Sequence, residues 1–143
     1  MNNNHSVVLF LDKIRARLIT GNNGIASFSQ TIESDLNPQP RFRGEGSNQA
    51  RFSRDPYLGS NNEFHLHRQE EQIMHNYFRR LSHLLLPYPD ILLSGPGETK
   101  KELRNFLLEQ HAFRGRNLQL QSIPELTDRQ LLALAEEFFS YAH

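Results

Sequence analysis

Ile91, Leu92 and Leu93 form an unbroken apolar run held between Pro89 and Gly95. A run this short, with no polar alternation, fits a strand buried on both faces of its sheet. Helical periodicity brackets it. From about Glu63 to Leu86, the residues Ile73, Tyr77, Leu81, Leu84 and Leu85 recur at helical spacing, while Arg68, Glu70, Glu71, Arg79 and Arg80 can face outward. Pro87 and Pro89 end that helix. Glu98 to Gln110 repeats the pattern with Leu103, Phe106 and Leu107 inward, closing near Gly115.

The amino-terminal third reads differently. Val7 to Leu11 is continuously apolar, and Ile14 to Thr20 alternates Ile14, Ala16 and Leu18 with Arg15 and Arg17, so both segments are strands joined at Asp12 and Lys13. Gly21, Asn22, Asn23 and Gly24 tolerate positive φ and suit a hairpin turn. Ile25 to Ile32 is then a third, weaker strand with Ile25, Phe28 and Ile32 as its apolar points, completing an antiparallel meander. Further on, Asn117 to Ser122 alternates Leu118 and Leu120 with Asn117, Gln119 and Gln121, as a strand near a sheet edge does. Thr127 and Gln130 make a capping box for a last helix whose buried stripe is Leu131, Leu134, Ala135, Phe138 and Phe139. Three strands, helix, strand, helix, strand, helix is an α/β order, and right-handed crossovers make at least two strands parallel.

At 143 residues the chain is expected to be one domain. Its 37% hydrophobic content is low, but 10 Phe and 4 Tyr are too many for a disordered chain. With no cysteine, disulfides and thiolate chemistry are excluded. No signal-like start or membrane-length apolar run is present, so a cytoplasmic protein without membrane association is expected. Sixteen Lys and Arg against sixteen Asp and Glu give a formal charge of zero, so any nucleic-acid binding must come from a local patch. The sequence leaves the oligomeric state open.

Two segments are candidates for such a patch. Leu36 to Asn62, scattered with Pro, Gly, Asn and Ser, is expected to be a long flexible loop, and loops of this length inside a domain are commonly functional or disordered. In it Arg41, Arg43, Arg51 and Arg54 interleave with Phe42 and Phe52, a mixture that pairs with phosphates and stacks on bases; the bland alternative is a solvated loop pinned by its aromatics. The second is Ser94-Gly95-Pro96-Gly97-Glu98-Thr99-Lys100, where a buried strand hands over to a helix. Gly95, Gly97, Thr99 and Lys100 form a turn that can hold an anion on free N–H groups, or simply a tight turn that requires glycine. The Walker spacing is absent. His65, His67, His75 and His83 lack the i, i+4 spacing of a helical zinc site, so no metal and no cofactor are expected. No nucleophile triad is visible.

Ala50-Arg51-Phe52-Ser53-Arg54 before a long helix with His75-Asn76-Tyr77, the Gly-Pro-Gly turn ending in Lys100, and the antiparallel start together resemble the middle domain of class-one peptide chain release factors and of Pelota. Short bacterial single-domain relatives, often labelled translational machinery proteins, share the pattern. The resemblance spans about Ser6 to Phe139. It implies a ribonuclease-H-like three-layer domain with a mixed five-stranded sheet covered by helices. Aligned on Arg51-Phe52, Glu45, Gly46 and Ser47 stand where release factors carry Gly-Gly-Gln, so the glutamine that positions water for peptidyl-tRNA hydrolysis is missing, and Gln49 lies two positions late. The resemblance therefore implies a ribosome- or RNA-associated binding protein without hydrolase activity, contacting RNA through Arg41, Arg43, Arg51, Phe52 and Arg54. The alternatives are a degenerate peptidyl-tRNA hydrolase using Gln49, and a protein-interaction or oligomerisation module. Gln49→Ala separates the first two in a peptidyl-tRNA hydrolysis assay: activity that vanishes in the variant assigns the role to Gln49, and the binding-protein reading expects background hydrolysis in both forms.

Overall fold

The computed structural model describes residues 3–36 and 56–141, with side chains over 5–36 and 67–141. Its elements are β1 (Asn3–Leu11), β2 (Arg15–Asn22), β3 (Ile25–Glu33), α1 (Pro56–Leu85), β4 (Asp90–Gly95), α2 (Thr99–Leu108), a 3-10 turn (His111–Phe113), β5 (Asn117–Ser122) and α3 (Asp128–Tyr141). The sheet runs β3-β2-β1-β4-β5, antiparallel across the first two seams and parallel across the last two. It is the mixed five-stranded α/β sheet expected from the sequence.

The period of two along β1 feeds two separate cores. Val7, Leu9 and Leu11 meet Tyr77, Leu81 and Leu85 of α1 and Leu103 and Leu107 of α2; Val8 and Phe10 meet Leu131, Ala135 and Phe139 of α3. β4 alternates in the same way, with Ile91 and Leu93 toward the first core and Leu92 toward the second. The molecule is therefore three layers, with α1 and α2 on one face and α3 on the other. Each fully buried aliphatic side chain contributes roughly 1.5–3 kcal/mol from removal of its surface from water, so the central pair β1–β4 carries much of the stability.

The hairpin turn falls where the sequence places it, with Asn23 and Gly24 at φ 58° and 84°, the signature of a type I′ turn. Two expectations are corrected. Ile25, expected inward, is 66% exposed at the hairpin tip, and Ala26 points inward instead. Gly21 lies opposite Ala26, and a Cβ at Gly21 would sit 2.6 Å from the Phe139 ring. This small pair admits a large aromatic from α3. The second correction is the start of α1, which begins at Pro56 rather than Glu63. Gly59, Ser60, Asn61 and Asn62 are weak helix formers, which is why the segment reads as loop, but proline suits a first helical position and propagation from an established helix is inexpensive.

β3 also changes face partway. Leu18 pairs with Gln30 and Ile19 with Phe28, leaving Ser29 as a bulge. Ala26 and Phe28 consequently face α3, while Ile32, an even number of residues on, packs with the α1 core.

The carboxyl end of α1 is closed from a distance. Arg116 Nη1 donates to the carbonyls of Leu86 (2.6 Å), Tyr88 (3.0 Å) and Leu85 (3.4 Å), and its guanidinium lies 4.9 Å from the Phe113 ring centroid. Leu85 ends the helix and its carbonyl also accepts from the Tyr88 N–H at 3.1 Å; Arg116 adds partners for the carbonyls that follow, as a helix end requires. Arg116→Ala is expected to lower unfolding free energy by about 2 kcal/mol in urea titrations, the scale for hydrogen bonds from a charged donor. Arg116→Lys should recover only part of that loss, because one ammonium cannot reproduce the planar fork.

Candidate nucleic-acid interface

β1, β3, β4 and β5 all run the same way, because β3 is antiparallel to β2, which is itself antiparallel to β1. Their carboxyl ends, Leu11, Glu33, Gly95 and Ser122, therefore share one edge of the sheet. α2 and α3 each start just after one of these strand ends, and α1 runs back from this side toward the start of β4. The amino-termini of α2 and α3 thus lie at this end, each with a partial positive charge from its unpaired N–H groups, whereas α1 passes it at Tyr77, roughly 30 Å of helix after its own start at Pro56. In open α/β sheets this is the end where ligands collect.

The glycine turn lies here, and so does the end of β3, after which the arginine-rich segment follows in sequence. The chain leaves β3 through Ser34–Leu36 and re-enters at Pro56, the first residue of α1. Arg41, Arg43, Gln49, Arg51, Phe52 and Arg54 lie outside the described residues. The stem from which they depart is closely tied down. Ser34 N–H donates to the Ile14 carbonyl at 2.8 Å and its hydroxyl to the Lys13 carbonyl at 2.7 Å, while Arg80 donates to the Glu33 carbonyl at 2.8 Å. Asp12 Oδ1 accepts from the N–H groups of Ile14 and Arg15, shaping the β1–β2 turn.

Tyr77, completely buried, donates its hydroxyl to the Asp12 carbonyl at 2.9 Å and joins α1 to that turn. Burial first, and the Asp12 carboxylate second, raise its pKa well above the ordinary tyrosine value.

The Gly-Pro-Gly turn is defined by close approach. Gly95 has φ 139°, and a Cβ there would overlap the Leu11 carbonyl oxygen; Gly97 has φ 74° with open space around it. Gly95 is thus glycine both for its conformation and because the end of β1 passes against it, whereas Gly97 is glycine for conformation alone. Ser94, fully buried, donates to the Leu9 carbonyl at 3.1 Å. Glu98 is the N-cap of α2 but makes no side-chain capping bond, and it pairs instead with Lys101 at 3.3 Å. Lys100 folds back and donates to the Gly97 carbonyl at 2.6 Å, with only 1% of the residue exposed. The structure therefore brings Gly97 and Lys100 into contact, places Thr99 in the same buried first turn and sets Gly95 against β1. In this arrangement the Lys100 ammonium closes the turn.

Sequence reading overlooked Arg17 and Arg15, which it took as the outward face of a strand. Arg17 lies 3.9 Å over the Phe28 ring and pairs with Asp128 at 3.0 Å, and Arg15 pairs with Glu33 at 3.8 Å. With Phe10, Asp12, Thr31 and Glu125 they line a cleft of about 210 Å³ in which the charges balance. Their alternation along β2 was visible; their partners on α3 and β3 were not. Among the histidines, His67 sits 3.2 Å from Glu71 and His75 packs edge-on against Phe106. No group of three or more metal-ligating side chains occurs among the described residues, and none of their helices is long and apolar enough to cross a membrane.

No protein-family model matches the chain, and no curated protein does. Solved structures do. An archaeal translation termination factor, aRF1, matches with TM-score 0.50 and 13% identity over 94% of this chain and 35% of its own. The Thermoplasma acidophilum Pelota protein matches with TM-score 0.50 and 16% identity over 96% of this chain and 32% of its own. The fold is release-factor- and Pelota-like. The chain spans about a third of the length of these two proteins.

Tyr77 gives a pH test of the anchor beneath the loop stem. A raised folded-state pKa means stability that is complete below the unfolded tyrosine value of 10.0 and lost as pH rises through the folded value. Chemical denaturation at rising alkaline pH should show a steeper loss of stability above pH 10 for the native protein than for Tyr77→Phe, which has no proton to release.

Proposed function

We propose that the protein is a ribosome- or structured-RNA-binding module of translation that lacks hydrolase activity. The observation that carries this reading is the convergence, at one edge of the sheet, of the carboxyl end of β3, from which the chain departs toward the arginine-rich segment, the glycine turn and the amino-termini of α2 and α3. Phosphate is the ligand such an edge attracts. Arg41, Arg43, Arg51 and Arg54 supply positive charge, and Phe52 supplies a stacking face for an unpaired base. The turn of Gly95, Gly97, Thr99 and Lys100 supports them from the scaffold only through the amino-terminus of α2, which favours an anion, because the Lys100 ammonium is engaged inside by the Gly97 carbonyl. The fold shared with a termination factor and with Pelota supports the choice of a translational RNA over other polyanions. The replacement of Gly-Gly-Gln by Glu45, Gly46 and Ser47 supports binding without hydrolysis.

The test is co-sedimentation with ribosomes across a salt series. If each of the four arginines neutralises one phosphate, affinity should fall on the order of 50-fold between about 50 and 200 mM salt. Replacing Arg41, Arg43, Arg51 and Arg54 with Ala should flatten that dependence and release the protein into the supernatant. Binding that is insensitive to salt, or unchanged in the arginine variant, contradicts the reading, as does the absence of binding at low salt.

A further inference from the structure

The two outer edges of the sheet are treated differently. At the β3 edge, Glu136 Oε2 of α3 accepts the outward N–H of Ala26 at 2.9 Å, and the Ser29 bulge breaks the line of the strand. Both are ways of preventing another strand from pairing there. At the β5 edge neither device occurs. Asn117 N–H bonds to the Pro89 carbonyl and Ile123 N–H to that of Gly95, so odd-numbered residues of β5 direct their backbone groups to β4. The N–H and C=O groups of Leu118, Leu120 and Ser122 must then point away from the sheet. No hydrogen bond from the described residues meets them.

β5 contains no charged residue and no proline. Beside it, on the α3 face, lies a groove of about 860 Å³ in which Asn117, Gln119 and Gln121 face Leu134, Phe138 and Tyr141. It exists because α3 packs over β1, β2 and β3 and leaves β5 uncovered on that side.

We propose that this edge is the seam of a symmetric homodimer, in which β5 of two copies pairs antiparallel to form one continuous sheet. The occupant is argued from the charges that flank the strand. Arg114, exposed, precedes β5, and Glu125, exposed, follows it. An antiparallel pair with its two-fold axis at Leu120 sets the basic flank of each copy beside the acidic flank of the other, whereas a parallel pair would set like charges together. In that register Leu120 bonds its own counterpart, and Leu118 exchanges both backbone bonds with Ser122 across the axis. Gln119 stands opposite Gln121 at a close, non-hydrogen-bonded position, where the two amides can bond each other. The grooves of the two copies then lie on the same face of the joined sheet, on either side of the amide rows.

Sedimentation velocity of the full chain over a dilution series, with hydrogen exchange read at β5, tests this. The native protein should dimerise reversibly, with the Leu118, Leu120 and Ser122 amides gaining protection as the dimer forms. Ser122→Pro removes an N–H that the β4–β5 pairing does not use, so it should give a monomer whose melting temperature matches that of the native protein at dilutions where the native protein is also monomeric. Arg114→Glu should raise the dimer dissociation constant at least about tenfold, since it sets two acidic flanks together. The double variant Arg114→Glu, Glu125→Arg should restore it. A native protein that stays monomeric at every concentration overturns the proposal and leaves the edge to a strand from another chain or to solvent. A dimer indifferent to Ser122→Pro, or one that the double variant fails to restore, also overturns it, because the seam then lies elsewhere.

Discussion

The parallel pairing of β1 with β4 is the interaction from which the rest of the architecture follows. Val7, Val8, Leu9, Ile91, Leu92 and Leu93 are at most 3% exposed, so each strand needs cover on both faces. That requirement places α1 and α2 on one side and α3 on the other. It also makes β4 end at a glycine: the carboxyl end of β1 passes so close to Gly95 that no side chain fits between them. The turn that follows, the start of α2 and the inward fold of Lys100 are thus consequences of how tightly two central strands meet.

The arrangement fixes the point at which the chain leaves the sheet toward the segment that carries the arginines. At the carboxyl edge of the strands, Asp12, Ser34, Tyr77 and Arg80 use side chains to satisfy or shape the backbone where β1 turns and β3 ends. Little of this is chemistry in itself. Its effect is to fix the end of β3, where the chain leaves the sheet toward the arginine-rich segment, beside the amino-termini of α2 and α3.

Much of this was legible in the sequence because local patterns and tertiary demands agree. The bounds of β5 match the alternating run from Asn117 to Ser122, and the capping box is made in both directions, with Gln130 N–H donating to the Thr127 hydroxyl and Thr127 N–H to the Gln130 side-chain oxygen. The failures have one physical origin. Ile25 was expected inside because it is apolar, yet the position that meets Phe139 accepts only a small residue, and that is known only once α3 is in place. The start of α1 was misplaced because weak helix formers are carried along by a helix stabilised elsewhere. Arg17 looked like a solvent-facing residue because its partners, Phe28 and Asp128, come from a neighbouring strand and from a helix far along the chain.

The clamp made by Arg116 has a consequence for how the chain is assembled as it emerges from a ribosome. The carbonyls of Leu85, Leu86 and Tyr88 are made about thirty residues before the arginine that closes them, and a helix end without a cap frays. During synthesis this junction therefore lacks its long-range partner until β4, α2 and the 3-10 turn have been made. The closing of α1 is in this way tied to the delivery of β5, whose first residue follows Arg116 directly.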